Sequence, residues 1–162
     1  MIFERAVYML NIITYSAVET ADAGFKLGSI LNRGDLVCLI GGLGTGKTAF
    51  TGGIAAALEI EGYITSPTFT IVNEYQGKIP LYHFDAYRIA NADEMFEIGF
   101  DEYLEAKGIV VIEWADLIKE ILPHDYVEIH IEKDIAVDPD KRIISMEFHG
   151  KKYLEYERRY EI

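Results

Sequence analysis

The chain has 162 residues, of which 50% are hydrophobic and 26% charged, and its formal net charge at pH 7 is -12. This length and composition predict one globular domain, residues 1–162, with a buried core. Because so acidic a surface repels phosphate backbones, we expect any nucleic acid to be contacted only indirectly, through a partner.

The cysteine content and the N-terminal segment favour a cytoplasmic protein. Cys38 is the single cysteine, so it cannot form an internal disulfide, and its apolar neighbours predict a buried thiol. Residues 1–16 contain a short apolar stretch that Glu4 and Asn11 interrupt. We interpret this segment as a strand, neither a signal peptide nor a membrane span, with Met9 as an alternative start. We therefore expect no membrane segment.

The first third of the chain alternates strand and helix patterns. Residues 11–16 are β-branched and aromatic, and the apolar spacing that follows predicts a helix from Ser16 to Gly34. Residues 35–40 form a continuous apolar run, typical of a strand buried on both faces. The alanines of residues 47–60 predict a helix packed on it. A glycine-rich segment therefore joins a strand to a helix.

The middle of the chain predicts a hairpin, two short helices and another buried strand. A short glycine-bearing loop joins the strand-like segments 68–75 and 79–87, which indicates antiparallel pairing. Residues 91–100 and 101–108 have the acidic first turns of short helices, and the apolar run in 108–116 ends in acid. Parallel and antiparallel strands are thus both expected.

The last part of the chain predicts a second hairpin. Residues 125–132 and 142–150 alternate apolar and polar side chains around a turn, so we expect their polar face to meet water. The tail, residues 151–162, fits a helix or a strand, and we favour a helix. Together these elements predict an α/β fold whose mixed parallel and antiparallel sheet is flanked by helices.

The segment "GGLGTGKT" matches the phosphate-binding pattern G-x-x-x-x-G-K-[ST] between a strand and a helix. Glycines leave room for main-chain NH groups to point at phosphate oxygens, and the helix adds its positive end. Lys47 supplies charge to the β and γ phosphates, and the Thr48 hydroxyl is a hard ligand for Mg²⁺. The predicted nucleotide-binding residues here are Gly41, Gly42, Leu43, Gly44, Thr45, Gly46, Lys47, Thr48 and Ala49. The guanine-reading pattern N-K-x-D is absent, which favours ATP.

Two acids follow apolar strands, where they would lie beside this loop at the carboxyl edge of the sheet. Asp85 and Glu113 are therefore the predicted partners of Lys47 in catalysis. Either acid can hold Mg²⁺ while the other orients or deprotonates the attacking water, and the pattern leaves their roles open. His83 shares a face with Asp85, so a hydrogen bond between them competes with a purely structural histidine.

Two further features have more than one interpretation. The hydroxyls of Ser66, Thr68 and Thr70 surround Pro67, and they either sense the γ phosphate or belong to a plain loop. Trp114 follows Glu113 directly, where it covers the site, meets a partner or packs in the core. We assign no role to the remaining histidines, which are His124, His130 and His149.

Five motifs in series make the chain resemble the TsaE family of P-loop ATPases, which act in bacterial tRNA threonylcarbamoyladenosine synthesis. Over about residues 14–132 the matching stretches are "SAVET", "GGLGTGKTAF", "SPTFTIV", "YHFDAYR" and "VIEWAD". The family usually has "GDLGAGKT" and "DLYR" in place of "GGLGTGKT" and "DAYR". Gly42 therefore removes a charge beside the loop.

The resemblance implies a single-domain P-loop ATPase that acts with the proteins TsaD and TsaB. It implies that the loop holds ATP, that Thr48 and Glu113 serve Mg²⁺ and that Asp85 acts in hydrolysis. It also implies that Thr20 lies near the nucleotide, that Thr68 belongs to a switch-like segment and that Trp114 acts with Glu113. No arginine is clearly placed as a catalytic finger. Arg88 is a candidate, and a buried pair with Asp85 or another acid is an equal alternative, so we expect slow hydrolysis by the isolated chain.

Two other functions use the same loop. A small-molecule kinase would need arginines in a mobile lid, and the sequence has no arginine-rich segment between the loop and residue 88. A non-catalytic nucleotide switch would bind a partner in one nucleotide state, and the two acids at strand ends speak weakly against it.

Overall fold

The structure is a computed structural model, and it describes residues 9–161. Seven strands form one sheet in the order β1-β7-β6-β2-β5-β4-β3. The strands are β1 (Met9–Thr14), β2 (Leu36–Ile40), β3 (Val72–Tyr75), β4 (Leu81–Asp85), β5 (Ile109–Glu113), β6 (Tyr126–Lys133) and β7 (Arg142–His149). The part of the predicted N-terminal strand that precedes Met9 lies outside the described residues.

The sheet is parallel in its centre and antiparallel toward both edges. β2 runs parallel to β5 and β6, and β4 runs parallel to β5. The pairs β3-β4, β6-β7 and β1-β7 are antiparallel. This arrangement confirms the predicted mixed α/β sheet.

Helices cover both faces of the sheet. They are α1 (Ala17–Gly28), α2 (Lys47–Ala57), α3 (Asp93–Glu97), α4 (Phe100–Glu105) and α5 (Leu154–Glu161), with 3₁₀ segments at Ala115–Ile121 and Lys151–Tyr153. One core cluster lies between the sheet and α1, α2 and α5, and the other lies under α3, α4 and the first 3₁₀ segment. The tail is thus largely helical, as favoured from the sequence. Among residues 9–161, no helix combines the length and apolarity needed to cross a membrane.

Two predicted boundaries were wrong. The first helix ends at Gly28 and not at Gly34, because the Asp35 carboxylate accepts a hydrogen bond from the Asn32 NH (2.6 Å) and organises a turn. The strand predicted for residues 68–75 begins only at Val72, since a turn precedes it. In both cases local hydrogen bonds end a pattern whose apolar residues continue.

The predicted water-facing side of the second hairpin was also wrong in part. Glu128 on β6 is only 6% exposed. β6 pairs with β2 as well as with β7, so it is an interior strand of the sheet. Its neighbours therefore cover a side chain that alternation alone assigns to solvent.

The parallel centre positions the residues of interest. The carboxyl ends of β2, β4 and β5 meet at one edge of the sheet, where the loop after β2 leads into α2. Asp85 and Glu113, the last residues of β4 and β5, are register partners. Sequence segments far apart in the chain thus converge at this edge.

Candidate functional site

The loop between β2 and α2 needs glycine at two positions for different reasons. A Cβ on Gly41 would overlap the carbonyl oxygen of Ile131 on β6. Gly46 has a φ of 113°, a left-handed conformation that other residues rarely adopt. Close approach at one end and positive φ at the other let the main chain wrap around an open centre.

Lys47 lies at the start of α2 with its charge turned into the loop. Its Nζ donates hydrogen bonds to the carbonyl oxygens of Gly41 (2.8 Å) and Gly42 (2.6 Å). The same atom lies 4.3 Å from the centroid of the Trp114 ring, a cation–π distance. Burial lowers the pKa of Lys47, although the charges of Glu113, Asp85 and Asp116 oppose that shift. The loop therefore holds a cation that has little contact with water.

Thr48, Glu113 and His83 form a chain of contacts beside the loop. The Thr48 hydroxyl donates to Oε1 of Glu113 at 3.0 Å, and Nε2 of His83 lies 2.9 Å from the same oxygen. His83 and Glu113 are 0% and 3% exposed. The hydrogen bond considered from the sequence between His83 and Asp85 is replaced by this one. The register explains the difference, because Glu113 on β5 is the diagonal neighbour of His83.

Asp85 anchors the segment that carries the predicted hydroxyls. Its Oδ2 accepts hydrogen bonds from Ser66 (3.2 Å) and Thr68 (3.0 Å), and its Oδ1 accepts one from the NH of Tyr87 (2.8 Å). The Thr70 hydroxyl instead donates to Oδ1 of Asn73. Two of the three hydroxyls thus contact an acid of the site.

Lys47, Thr48 and both acids line one cleft of ≈ 340 Å³. The Trp114 and Tyr87 side chains also line it, and their ring centroids lie 4.7 Å apart. The lining residues are Leu43, Gly44, Thr45, Gly46, Lys47, Thr48, Ala49, Ser66, Thr68, Asp85, Tyr87, Glu113 and Trp114. Most of the residues predicted for the site therefore face a common space.

Thr20, Gly41 and Gly42, also predicted for the site, are absent from the lining of this cleft. Thr20 is 1% exposed, and its hydroxyl is 2.9 Å from that of Thr14. Its Cγ2 would lie 3.3 Å from a Cβ placed on Gly46. Thr20 thus packs behind the loop, so its influence on a ligand would pass through Gly46.

Two contacts of the site were not predicted from the sequence. Nε of Arg142 on β7 donates to the carbonyl oxygen of Thr45 at 2.9 Å and supports the loop from outside. The contact of His83 with Glu113 is equally non-local. Both depend on which strands are neighbours, which residue spacing does not encode.

A family model described as "Threonylcarbamoyl adenosine biosynthesis protein TsaE" matches residues 14–143. The chain belongs to the TsaE family. Its membership confirms the resemblance found from the five motifs and places it among the threonylcarbamoyladenosine biosynthesis proteins.

TsaE proteins of known sequence and one solved structure align over most of the chain. The tRNA threonylcarbamoyladenosine biosynthesis protein TsaE of Treponema pallidum is 40% identical over 134 residues, covering 83% of this chain and 98% of that protein. The protein of the same name from Bacillus subtilis is 44% identical over 141 residues, covering 86% of each. The crystal structure of Bacillus subtilis YdiB superposes with a TM-score of 0.83 at 33% identity, covering 98% of this chain and 97% of that one. This likeness confirms the fold class.

Proposed function

We propose that this chain is the ATP-binding and ATP-hydrolysing component of tRNA threonylcarbamoyladenosine synthesis, and that it acts with TsaD and TsaB. The observation that carries the proposal is the 3.0 Å contact between the Thr48 hydroxyl and Glu113, directly beside the Lys47 loop. A hydroxyl and a carboxylate at that position are the oxygen ligands that Mg²⁺ takes in P-loop sites.

The loop supports binding of a triphosphate. Its glycines allow main-chain NH groups to face the cleft, and the N-terminus of α2 adds a positive dipole. Lys47 bonds to carbonyl oxygens of the loop, so a phosphate would compete with hydrogen bonds to neutral groups. This is a cation available to an anionic ligand in a chain whose net charge is -12.

The contacts support different roles for the two acids. Glu113 and Thr48 would hold Mg²⁺, which when bound would neutralise phosphate charge. His83 fixes the carboxylate of Glu113 from the buried side. Asp85, also a predicted metal ligand, holds Ser66 and Thr68 and would orient the attacking water through this segment. Lys47 would stabilise the charge that develops on the phosphates.

The position of Arg88 supports slow turnover by the isolated chain. Its guanidinium lies 4.3 Å from the centroid of the Phe69 ring, and Arg88 is absent from the lining of the cleft. The alternative of a buried pair with Asp85 is not observed, because Arg88 is exposed. We expect TsaD and TsaB to raise the rate, and we expect tRNA to be bound by them.

A multi-turnover assay tests the proposal. Purified TsaD, TsaB, tRNA, ATP and a threonylcarbamoyl donor are supplied with wild type, Lys47→Ala or Glu113→Ala, and both phosphate release and modified adenosine are measured. Lys151→Ala, at an exposed position, is the matched control. We expect both site variants to lose phosphate release and repeated modification.

The same assay separates the alternatives. Undiminished modification by Lys47→Ala would overturn the proposal. Binding of TsaD and TsaB that depends on ATP against ADP, without phosphate release above background, would favour the non-catalytic switch. Transfer of the γ phosphate to a small acceptor would favour a kinase.

A further inference from the structure

A second group of ionisable side chains lies on β6 and β7. Glu128 and His130 are two apart on β6, and Glu147 and His149 are two apart on β7, so each pair shares one face of its strand. Glu128 pairs directly with Glu147, which brings the pairs together. Glu128 is also the register partner of Cys38 in β2, so the group lies on the face of the sheet that Cys38 faces. We call these four residues the β6–β7 cluster.

Three of the four side chains converge on a small volume. Nε2 of His149 lies 3.4 Å from Oε2 of Glu147 and 3.9 Å from Oε2 of Glu128. One ligand atom from each of these residues lies within 4.8 Å of the others. Ligands bonded to zinc at about 2.0–2.2 Å in a tetrahedron are separated by roughly 3.3–3.6 Å. Small side-chain adjustments would therefore bring all three into coordination distance.

The cluster contains an unpaired donor or acceptor and excess negative charge. His149 Nε2 is buried and makes no hydrogen bond within the described residues, although two carboxylates face it. Directly opposed carboxylates on antiparallel strands repel each other. A divalent cation would satisfy the ring nitrogen and both carboxylates, and the nearby charge of Lys119 would oppose it.

Two neighbours fix the geometry of the cluster. The Tyr126 ring stacks on His149, with centroids 4.6 Å apart and an interplanar angle of 22°, which orients Nε2. His130 Nε2 lies 2.7 Å from Oε1 of Glu128, the oxygen that does not face His149. A histidine that binds the second oxygen of a ligating carboxylate is the usual outer-shell support of a metal site.

We propose that Glu128, Glu147 and His149 bind a divalent transition-metal ion of the Zn²⁺ class, and that His130 positions Glu128. One imidazole nitrogen with two carboxylates suits Zn²⁺ or Co²⁺ and disfavours Mg²⁺, which takes oxygen ligands. This site shares no residue with the cleft around Lys47, and it is independent of the proposed ATPase activity.

Co²⁺ is the probe for this site, because its visible absorption reports coordination by nitrogen and oxygen. The full chain is stripped with a chelator, titrated with Co²⁺ and then with Zn²⁺, and compared with His149→Ala, Glu147→Gln and His130→Ala. We expect one equivalent of Co²⁺ to bind wild type and Zn²⁺ to displace it. We expect His149→Ala and Glu147→Gln to lose this binding, and His130→Ala to weaken it about tenfold.

Two controls place the metal. His124→Ala, at an exposed position in a loop, and Glu113→Ala, in the nucleotide cleft, should bind Co²⁺ as wild type does. Circular dichroism shows whether each variant is folded, and Zn²⁺ should raise the melting temperature of wild type but not of Glu147→Gln. Absence of stoichiometric binding by wild type, or unchanged binding by the folded Glu147→Gln variant, would overturn the proposal.

Discussion

Nε2 of His83 lies 2.9 Å from Oε1 of Glu113, the carboxylate oxygen that also accepts the hydrogen bond of Thr48. The histidine is fully buried, and its other ring nitrogen makes no hydrogen bond within the described residues. One buried side chain thus holds the acid that faces the loop. The orientation of the Glu113 carboxylate thus depends on a residue of β4, although Glu113 itself belongs to β5.

Replacing His83 should change the metal dependence of ATP turnover. In His83→Ala, Glu113 loses its buried partner, so we expect the Mg²⁺ concentration for half-maximal hydrolysis to rise about 10- to 100-fold. His83→Gln keeps a donor and should recover part of the loss, whereas a general structural defect would not be rescued. The measurement is phosphate release at saturating ATP over a range of Mg²⁺. An unchanged Mg²⁺ profile for folded His83→Ala would show that the contact does not orient Glu113.

Two glycine-to-alanine changes should affect different properties, one the affinity for ADP and the other the stability of the fold. A Cβ at Gly41 overlaps the Ile131 carbonyl, so we expect Gly41→Ala to distort the loop and lower ADP affinity by about tenfold or more, as loss of one charge-assisted hydrogen bond would. Gly52, within α2, has open space around its Cβ position. Gly52→Ala should raise the free energy of unfolding by up to about 1 kcal/mol and leave ADP affinity unchanged. Calorimetric titration and thermal unfolding measure both, and equal ADP affinity in the two variants would contradict the steric argument.

Thr20 should contribute to stability more than to nucleotide contact. Thr20→Val keeps the shape behind Gly46 but leaves the buried Thr14 hydroxyl without its partner, which costs about 1–2 kcal/mol. The double variant Thr14→Val/Thr20→Val removes both hydroxyls and should recover much of that loss. Chemical denaturation measures the cycle, with ADP titration in parallel. Loss of ADP binding by folded Thr20→Val would contradict this mainly structural role.

The stabilisation from Glu128 should disappear in acid. Burial acts to raise the pKa of this carboxyl, but the hydrogen bond from His130 and the charge of Lys119 lower it. A carboxyl with a folded-state pKa below the unfolded value of about 4.3 stabilises the fold above that pH and loses its effect as pH falls through the folded value. We therefore expect the difference in unfolding free energy between wild type and Glu128→Gln to shrink between about pH 5 and pH 3.

This measurement needs a chelator, so that bound metal does not contribute. The groups that act on Glu128 are His130, His149, Glu147, Tyr126, Lys119 and Cys38. Glu147→Gln under the same conditions reports the share of Glu147. Glu61→Gln, at an exposed position, is the control. A difference that grows below pH 5 would mean that protonated Glu128 is the stabilising form.

The parts predicted well from the sequence are those that local pattern determines. A contiguous glycine motif between an apolar run and a helix pattern located the loop, and apolar runs ending in acid located Asp85 and Glu113. The contact between Arg142 and Thr45 spans 97 positions and depends on strand order. The burial of Glu128 likewise follows from the place of β6 between β7 and β2. Such relationships require the assembled sheet, and residue spacing does not carry them.

The glycine motif of residues 41–48 is continuous in the sequence, but its conformation depends on residues outside it. The carbonyl of Ile131 limits what can occupy position 41, and the guanidinium of Arg142 braces Thr45 from the far side. A fragment that ends before Ile131 would contain the complete motif but would lack both contacts that fix the conformation of the loop. Grafting residues 41–48 between another strand and helix would therefore transfer the sequence of the loop but not its conformation.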